Sequence, residues 1–135
     1  MIKKSKVDQS YYINYLQRAE ECLYGARSAF EEKKYDLCAI NSVHCGISAI
    51  DAICVFYLGY RHSGEKHTTA KEMLNFIREI KHEELKEIAN RFGRILNMKN
   101  MAEYEERKIK MKEAQELLNN ATKLLEKIKS KLPSG

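Results

Sequence analysis

Apolar residues recur along this chain at alternating steps of three and four, which is the spacing of one face of an α-helix. In residues 8–33 this stripe consists of Tyr12, Leu16, Ala19, Leu23, Ala26 and Phe30. The polar letters KKYD then interrupt the pattern. A second stripe follows them, formed by Leu37, Ile40, Val43, Ile47, Ile50, Cys54 and Tyr57. The pattern predicts two long helices joined by a turn.

The second predicted helix is apolar on more than one side. Beside its main stripe it carries Ala39, Gly46, Ala49 and Phe56. A helix that is so widely apolar belongs in the centre of a bundle. Its apolar stretch, residues 47–60, carries Asp51 and is too short to span a bilayer, and the opening MIKKSK lacks the apolar core of a signal peptide. We therefore expect a cytoplasmic protein without membrane contact.

Three further helices are predicted in the second half of the chain. GYRHSGEKH, residues 59–67, reads as a loop, and Thr69 with Glu72 forms a capping-box pattern that opens a short helix. The inward positions of that helix are Met73, Ile77 and Ile80. The fourth stripe, after His82, is Leu85, Ile88, Phe92 and Ile95. The last stripe, which ends at Pro133, is Ala114, Leu117, Leu118, Ala121, Leu125, Ile128 and Leu132.

These stripes predict an all-α fold, an antiparallel up-and-down bundle of four to five helices. The 135 residues are 44% hydrophobic and 32% charged with a single proline, which suits one folded domain spanning 1–135. Neither an internal repeat nor a linker interrupts the pattern. The chain is long enough to bury a core without disulfides or metals.

The net charge of +5 is concentrated near the end of the chain. Residues 107–131 contain eight Lys or Arg and three Glu, so the rest of the chain sums to zero. A basic segment of this kind can follow the phosphates of a nucleic acid. The alternative is a solvated helix face whose lysines complement the negative end of the helix dipole. Charge alone leaves both interpretations open.

Several residue types that often carry chemistry have structural explanations here. The four cysteines, which lie in helical patterns without a CxxC pair, are Cys22, Cys38, Cys45 and Cys54. We interpret them as small buried hydrophobes kept reduced, and we expect neither a metal site nor a cofactor. His44 and Cys45 are neighbours, but adjacent helical positions point about 100° apart and do not face each other.

Asp51 is the sole acid of the apolar second helix, and burying it without a partner would be costly. We expect a polar bond to a nearby Lys, Arg, hydroxyl or water, with a cleft between subunits as the alternative.

Three segments resemble those of a known family when they are taken in order. They are KKYDLCAINSVHCGISAIDAI (33–53), EKHTTAKEML (65–74) and ILNMKNMAEYEERKIKMKEAQELLNNA (95–121). Together they are similar to the HEPN family of small prokaryotic helical domains, especially its stand-alone branch. The resemblance covers nearly the whole chain, and its last segment is the most specific.

The resemblance implies a functional position after the fourth helix. In RNA-cleaving members an arginine is followed after four to six residues by a histidine, and the aligned pair here is Lys99 and Tyr104. Lysine keeps the charge but loses the planar fork that suits a phosphate, and tyrosine, with a pKa of about 10, is a poor general base. The implied position is therefore a nucleotide- or RNA-binding one, formed by Lys99, Asn100, Tyr104, Arg107 and Lys108.

Other interpretations of this segment remain open. Lys99 could cap the fourth helix at its C-terminus while Tyr104 anchors the next connection. Asn100 agrees with the arginine-asparagine start of toxin members, whereas Glu106 replaces a tyrosine that accepts a nucleotide in some of them, so that modification is not implied.

A second arginine-histidine pair, Arg61 and His67, also satisfies the family spacing. It lies between the second and third helices, where the family does not place its catalytic pair. We therefore rank His62 and His67 below Lys99 and Tyr104 as catalytic candidates.

Three functions follow from these observations. The first is a non-catalytic HEPN-like module that binds nucleotide or RNA and acts with a partner, such as a nucleotidyltransferase-like antitoxin, in a toxin-antitoxin or defence context. The second is a metal-independent endoribonuclease that uses Lys99 and Tyr104, or His67, in place of the usual pair. The third is a purely structural dimerisation module. The resemblance also implies a two-fold homodimer.

Overall fold

The fold is a bundle of α-helices with one small sheet. The structure, a computed structural model, describes residues 2–64, 68–104 and 106–133. Its helices are α1 (Tyr12–Glu31), α2 (Tyr35–Leu58), α3 (Thr68–Leu74), α4 (His82–Asn97), α5 (Lys99–Tyr104) and α6 (Met111–Lys129). Its strands are β1 (Lys4–Lys6) and β2 (Tyr60–His62). The predicted all-α bundle is confirmed.

Helix α2 forms the centre of the bundle and packs against α1, α4, α5 and α6. Its interior side chains are small or apolar, and Ile50 and Ile53 are almost fully buried. Gly46 allows α4 to approach closely, because a Cβ there would lie 3.1 Å from Cδ1 of Ile95. Among the described residues α2 is also the one helix long and apolar enough to cross a membrane, but 67% of that stretch is buried inside the bundle. The central helix of a bundle has this same composition.

The turn between α1 and α2 follows the KKYD prediction. Lys33 has a positive φ of 62°, and its N–H donates to the carbonyl of Phe30 while the N–H of Lys34 donates to that of Ala29. These bonds satisfy carbonyls at the end of α1, as in a Schellman-type ending. The chain therefore reverses within three residues, and α2 returns along α1.

The two short strands were not predicted. β1 pairs antiparallel with β2, with Ser5 opposite Arg61. Gly59, at φ 72°, ends α2 in the left-handed conformation, and its carbonyl accepts from the N–H of Val7. The prediction of a plain loop from residue 59 was wrong, because three-residue polar strands leave no hydrophobic alternation to detect.

The third helix is shorter than predicted. Ile77 and Ile80 are buried as expected, but they follow the end of α3 at Leu74 and reach the core from irregular backbone. Thr69 lies inside α3 instead of capping it, and its hydroxyl pairs with the imidazole of His62. The capping-box prediction was therefore wrong for this threonine.

Helix α4 matches its predicted stripe, and α6 matches apart from Leu118, which is only partly buried, and Leu124, which is fully buried and was not predicted. Phe92 is fully buried on α4, and Leu117 and Ile128 are fully buried on α6. α6 ends at Lys129, and Leu132 packs into the core just beyond it. The two helices lie side by side with their polar edges outward, and these edges contain the site described next.

Candidate functional site

The segment aligned with the family motif forms a short helix of its own. α5 begins at Lys99, directly after Met98 ends α4, and the N–H of Ala102 donates to the carbonyl of Met98. Lys99 is half-buried and Asn100 is exposed. The alternative interpretation of Lys99 as the C-terminal cap of the fourth helix is wrong, because that position belongs to Met98. Tyr104 ends α5, and its side chain lies outside the described part of the chain.

Arg107 and Lys108, two predicted phosphate ligands, are engaged within the protein. Both terminal nitrogens of Arg107 donate to the carboxylate of Glu113, at 2.9 and 2.8 Å, and the guanidinium also contacts the sulfur of Met101. Nζ of Lys108 lies 3.1 Å from Oδ2 of Asp36. The two cations therefore hold the segment between α5 and α6 against the bundle.

The two carboxylates in these pairs are held ionised. Oδ1 of Asp36 accepts from the N–H of Ile109 at 2.8 Å, and this backbone bond, together with Lys108, lowers the pKa of Asp36. The bonds from Arg107 lower the pKa of Glu113 to about 2. A carboxylate that releases its proton so readily is a poor general base at neutral pH.

Of the two histidine candidates after α2, the described residues include His62 alone. His67 lies outside the described residues. His62 is only 6% exposed, burial lowers its pKa, and its ring joins β2 to α3 through Thr69. Arg61 donates to the carbonyl of His62 at 3.2 Å. Within the described chain, His62 is therefore part of the packing between the sheet and α3.

The neighbouring His44 and Cys45 do not form a nucleophilic pair. His44 is exposed, whereas Cys45 is fully buried, and burial raises the pKa of its thiol to about 12. A thiol in that state is not a nucleophile at neutral pH. No group of three or more His, Cys, Asp or Glu residues in the described ranges is placed to hold a metal ion.

Asp51 is half-buried on α2, and burial raises its pKa to about 7. The positive charges of Arg61 and Arg18 act in the opposite direction. Arg61 and Arg18 act on Asp51 through their charge, and burial has the larger effect on its pKa, so the expected polar bond stays a prediction.

An open groove of ≈ 480 Å³ runs between α4 and α6. Among its lining residues four are cationic, namely Arg91, Arg94, Lys112 and Lys123, and one, Glu116, is acidic. The amides of Gln115, Asn119 and Asn120 complete the lining. We call this feature the α4–α6 groove.

Helical spacing explains why these side chains share one groove. On α6 the lining positions recur at steps of three and four beside the buried stripe, and on α4 Arg91 and Arg94 are three positions apart. Nη1 of Arg91 donates to Oδ1 of Asn120 at 3.0 Å, and Asn120 is 7% exposed. This bond fixes one guanidinium at the base of the groove.

Three lysines at the end of the basic segment pair with acids from other helices. Lys127 and Lys131 lie 3.2 and 2.6 Å from Oε1 of Glu84, and Lys129 lies 3.1 Å from Glu20. The C-terminal end of α6 therefore carries little unbalanced charge. The cations of the α4–α6 groove face fewer acids, because its described lining contains Glu116 alone.

Sequence reasoning missed the contribution of α4. Arg91 and Arg94 lie outside the basic segment 107–131, within a region whose charges sum to zero. The sequence signal that could have identified them is their spacing of three positions, next to the buried apolar stripe of α4. Arginine forks and lysine ammonium groups suit phosphate oxygens, and amide side chains add neutral donors.

The comparisons with known proteins agree with this architecture. A model of the HEPN domain family matches residues 12–131. The crystal structure of TT1696 from Thermus thermophilus has a similar fold, with a TM-score of 0.65 and 15% identity, covering 90% of this chain and 98% of that one. Comparison with curated proteins gave no match.

Proposed function

The chain belongs to the HEPN domain family, and we propose that it is a non-catalytic member that binds RNA along the α4–α6 groove and acts together with a partner protein. The observation that carries this proposal is the cluster of four cationic side chains, opposed by Glu116 alone among the described lining residues. A phosphate backbone is the ligand that such a surface suits best.

Binding without cleavage is favoured by the chemistry of the groove. Cleavage at a ribose 2′-hydroxyl needs a group that takes a proton near neutral pH. None of the described histidines lines the groove, and the described lining offers only Glu116 as a base. Lys99 and Tyr104 stand where cleaving relatives have arginine and histidine, which removes the usual base.

RNA is favoured over a mononucleotide by the shape of the lining. The groove is open along two helices, and its described lining contains no aromatic side chain on which a single base could stack. Its charges suit successive phosphates, and the exposed amides of Gln115 and Asn119 can hydrogen-bond a 2′-hydroxyl. We expect binding that depends weakly on base sequence.

The test is fluorescence anisotropy with a labelled single-stranded RNA at low salt, where phosphate contacts are strongest. The variant Arg94→Glu with Lys112→Glu reverses two exposed groove charges, and Lys86→Glu reverses one exposed charge on α4 outside the groove. We expect the groove variant to lose binding and Lys86→Glu to retain most of it. An equal loss in both variants would contradict a site in the groove.

The same RNA is then incubated with the protein without divalent metal and analysed on a gel, alongside Lys99→Ala and Tyr104→Phe. We expect intact RNA in every lane. Cleavage that both substitutions abolish would instead make this segment a ribonuclease site. No binding by the wild type even at low salt would leave the structural dimerisation module as the better account.

A further inference from the structure

A second concavity lies at the start of α2, separate from the α4–α6 groove. It has a volume of ≈ 480 Å³ and is formed by residues 33–37 on one side and residues 108 and 109 on the other. We call it the α2 pocket. It shares no described lining residue with the groove, so it stands independently of the proposed RNA site.

The floor of the α2 pocket is apolar. Ile109 contributes a side chain that is 4% exposed, and Leu37 is 47% exposed although leucine is large and apolar. The ring of Tyr35 packs edge-on against Phe30 at 5.6 Å, which restrains its orientation. An exposed leucine beside a concave apolar surface leaves area that a ligand can bury.

The two walls of the pocket are fastened together by Asp36. Its Oδ1 accepts from the N–H of Ile109 at 2.8 Å, and its Oδ2 lies 3.1 Å from Nζ of Lys108. The pocket therefore exists before a ligand arrives, which reduces the ordering cost of binding. Asp36 is the acidic member of the described lining, and both of its oxygens already have partners.

The rim of the pocket is cationic. Lys33 projects from the tight turn at φ 62°, and Lys108 has a side chain that is 91% exposed. Lys34 pairs with Glu32 at 3.2 Å, but both side chains are 62% exposed, and such surface pairs contribute little stability. Lys33 and Lys34 can therefore turn to an incoming carboxylate at low cost, while Lys108 stays paired with Asp36.

We propose that the α2 pocket docks an acidic peptide segment of a partner protein, in which one bulky apolar side chain is flanked by Asp or Glu. The apolar side chain enters between Tyr35, Leu37 and Ile109, and the flanking carboxylates meet the lysine rim. Charge complementarity identifies the occupant. Lys33 and Lys34 border the apolar floor, and the described acid, Asp36, is already paired, so the rim opposes a basic peptide and attracts an acidic one.

The test is selection of phage-displayed random heptapeptides on the immobilised full chain. Selected peptides should combine one Phe, Leu or Trp with neighbouring Asp or Glu. Leu37→Asp places a charge on the pocket floor, and an acidic residue in the first turn of a helix is well tolerated. The matched control is Phe76→Asp, which changes another exposed apolar side chain, 60% exposed, outside the pocket.

We expect Leu37→Asp to weaken a selected, labelled peptide by at least about tenfold and Phe76→Asp to leave its affinity unchanged. Lys33→Glu should weaken the acidic peptide while sparing a variant peptide whose acids are replaced by Gln. No enrichment, enrichment of basic peptides, or equal binding by Leu37→Asp would each overturn the proposal. A loss of RNA affinity in Leu37→Asp would also overturn it, since the pocket would then belong to the RNA surface.

Discussion

Removing one groove charge should change how RNA binding responds to salt. Arg94→Ala deletes an exposed guanidinium from the α4–α6 groove without touching the core. For a single strand, the slope of log affinity against log salt is about −0.7 for each phosphate that is neutralised. Four groove cations therefore give a slope of about −2.8, and three give about −2.1.

These slopes translate into a measurable difference. Between about 50 and 200 mM salt the wild type should lose about 50-fold in affinity, and Arg94→Ala about 20-fold, because each released counterion contributes to the dependence. The assay is anisotropy of one labelled oligoribonucleotide across that salt range. Lys86→Ala removes a charge from the same helix outside the groove and should keep the wild-type slope.

Glu116 offers a test of opposite sign. Glu116→Gln removes the acidic member of the described lining, so RNA should bind more tightly at every salt concentration. Equal slopes for Arg94→Ala and Lys86→Ala, or an affinity that does not respond to salt, would refute the assignment of phosphates to the groove.

Three further predictions concern the fold itself. Phe92→Ala removes the largest fully buried side chain and should lower the free energy of unfolding by about 3–5 kcal/mol in urea titrations; a loss below about 1 kcal/mol would contradict its place in the core. Glu113 has a pKa lowered to about 2 by Arg107, so its stabilisation is complete above about pH 4.5 and disappears as the pH falls towards 2. The stability difference between wild type and Glu113→Gln should shrink across that window, and a constant difference would contradict the pairing. Half-buried Cys22 should react with maleimide in the native protein, whereas fully buried Cys45 should react only after unfolding, as mass spectrometry can show.

The long helices were predictable because each buries one stripe of regular spacing. Residues such as Phe92 and Leu117 occur at positions where a helix needs them, and their burial follows from the period alone. Ile77 and Ile80 show the limit of that argument. They satisfy a helical period and are buried, yet they lie in irregular backbone after Leu74. The helical period therefore predicts which side chains are buried. It does not predict whether the backbone that carries them is helical or irregular.

The candidate site was only partly predictable, because charge along a sequence says little about pairing in space. Lys127 and Lys131 look like phosphate ligands in the sequence, but they lie against Glu84, more than forty residues earlier. Arg91 and Arg94 sit in a region of zero net charge, yet the packing of α4 beside α6 adds them to Lys112. The net charge of the segment 107–131 therefore did not identify which of its cations line the groove.

The bond between Asp36 and the N–H of Ile109 provides a natural reporter of motion. Ile109 precedes α6 and belongs to no helix, so its amide hydrogen is protected from solvent exchange by this one carboxylate and by burial of the residue. Its hydrogen-deuterium exchange rate therefore measures how often the contact between Ile109 and the first turn of α2 opens. That single amide makes the local dynamics of this junction visible by NMR in the unmodified protein.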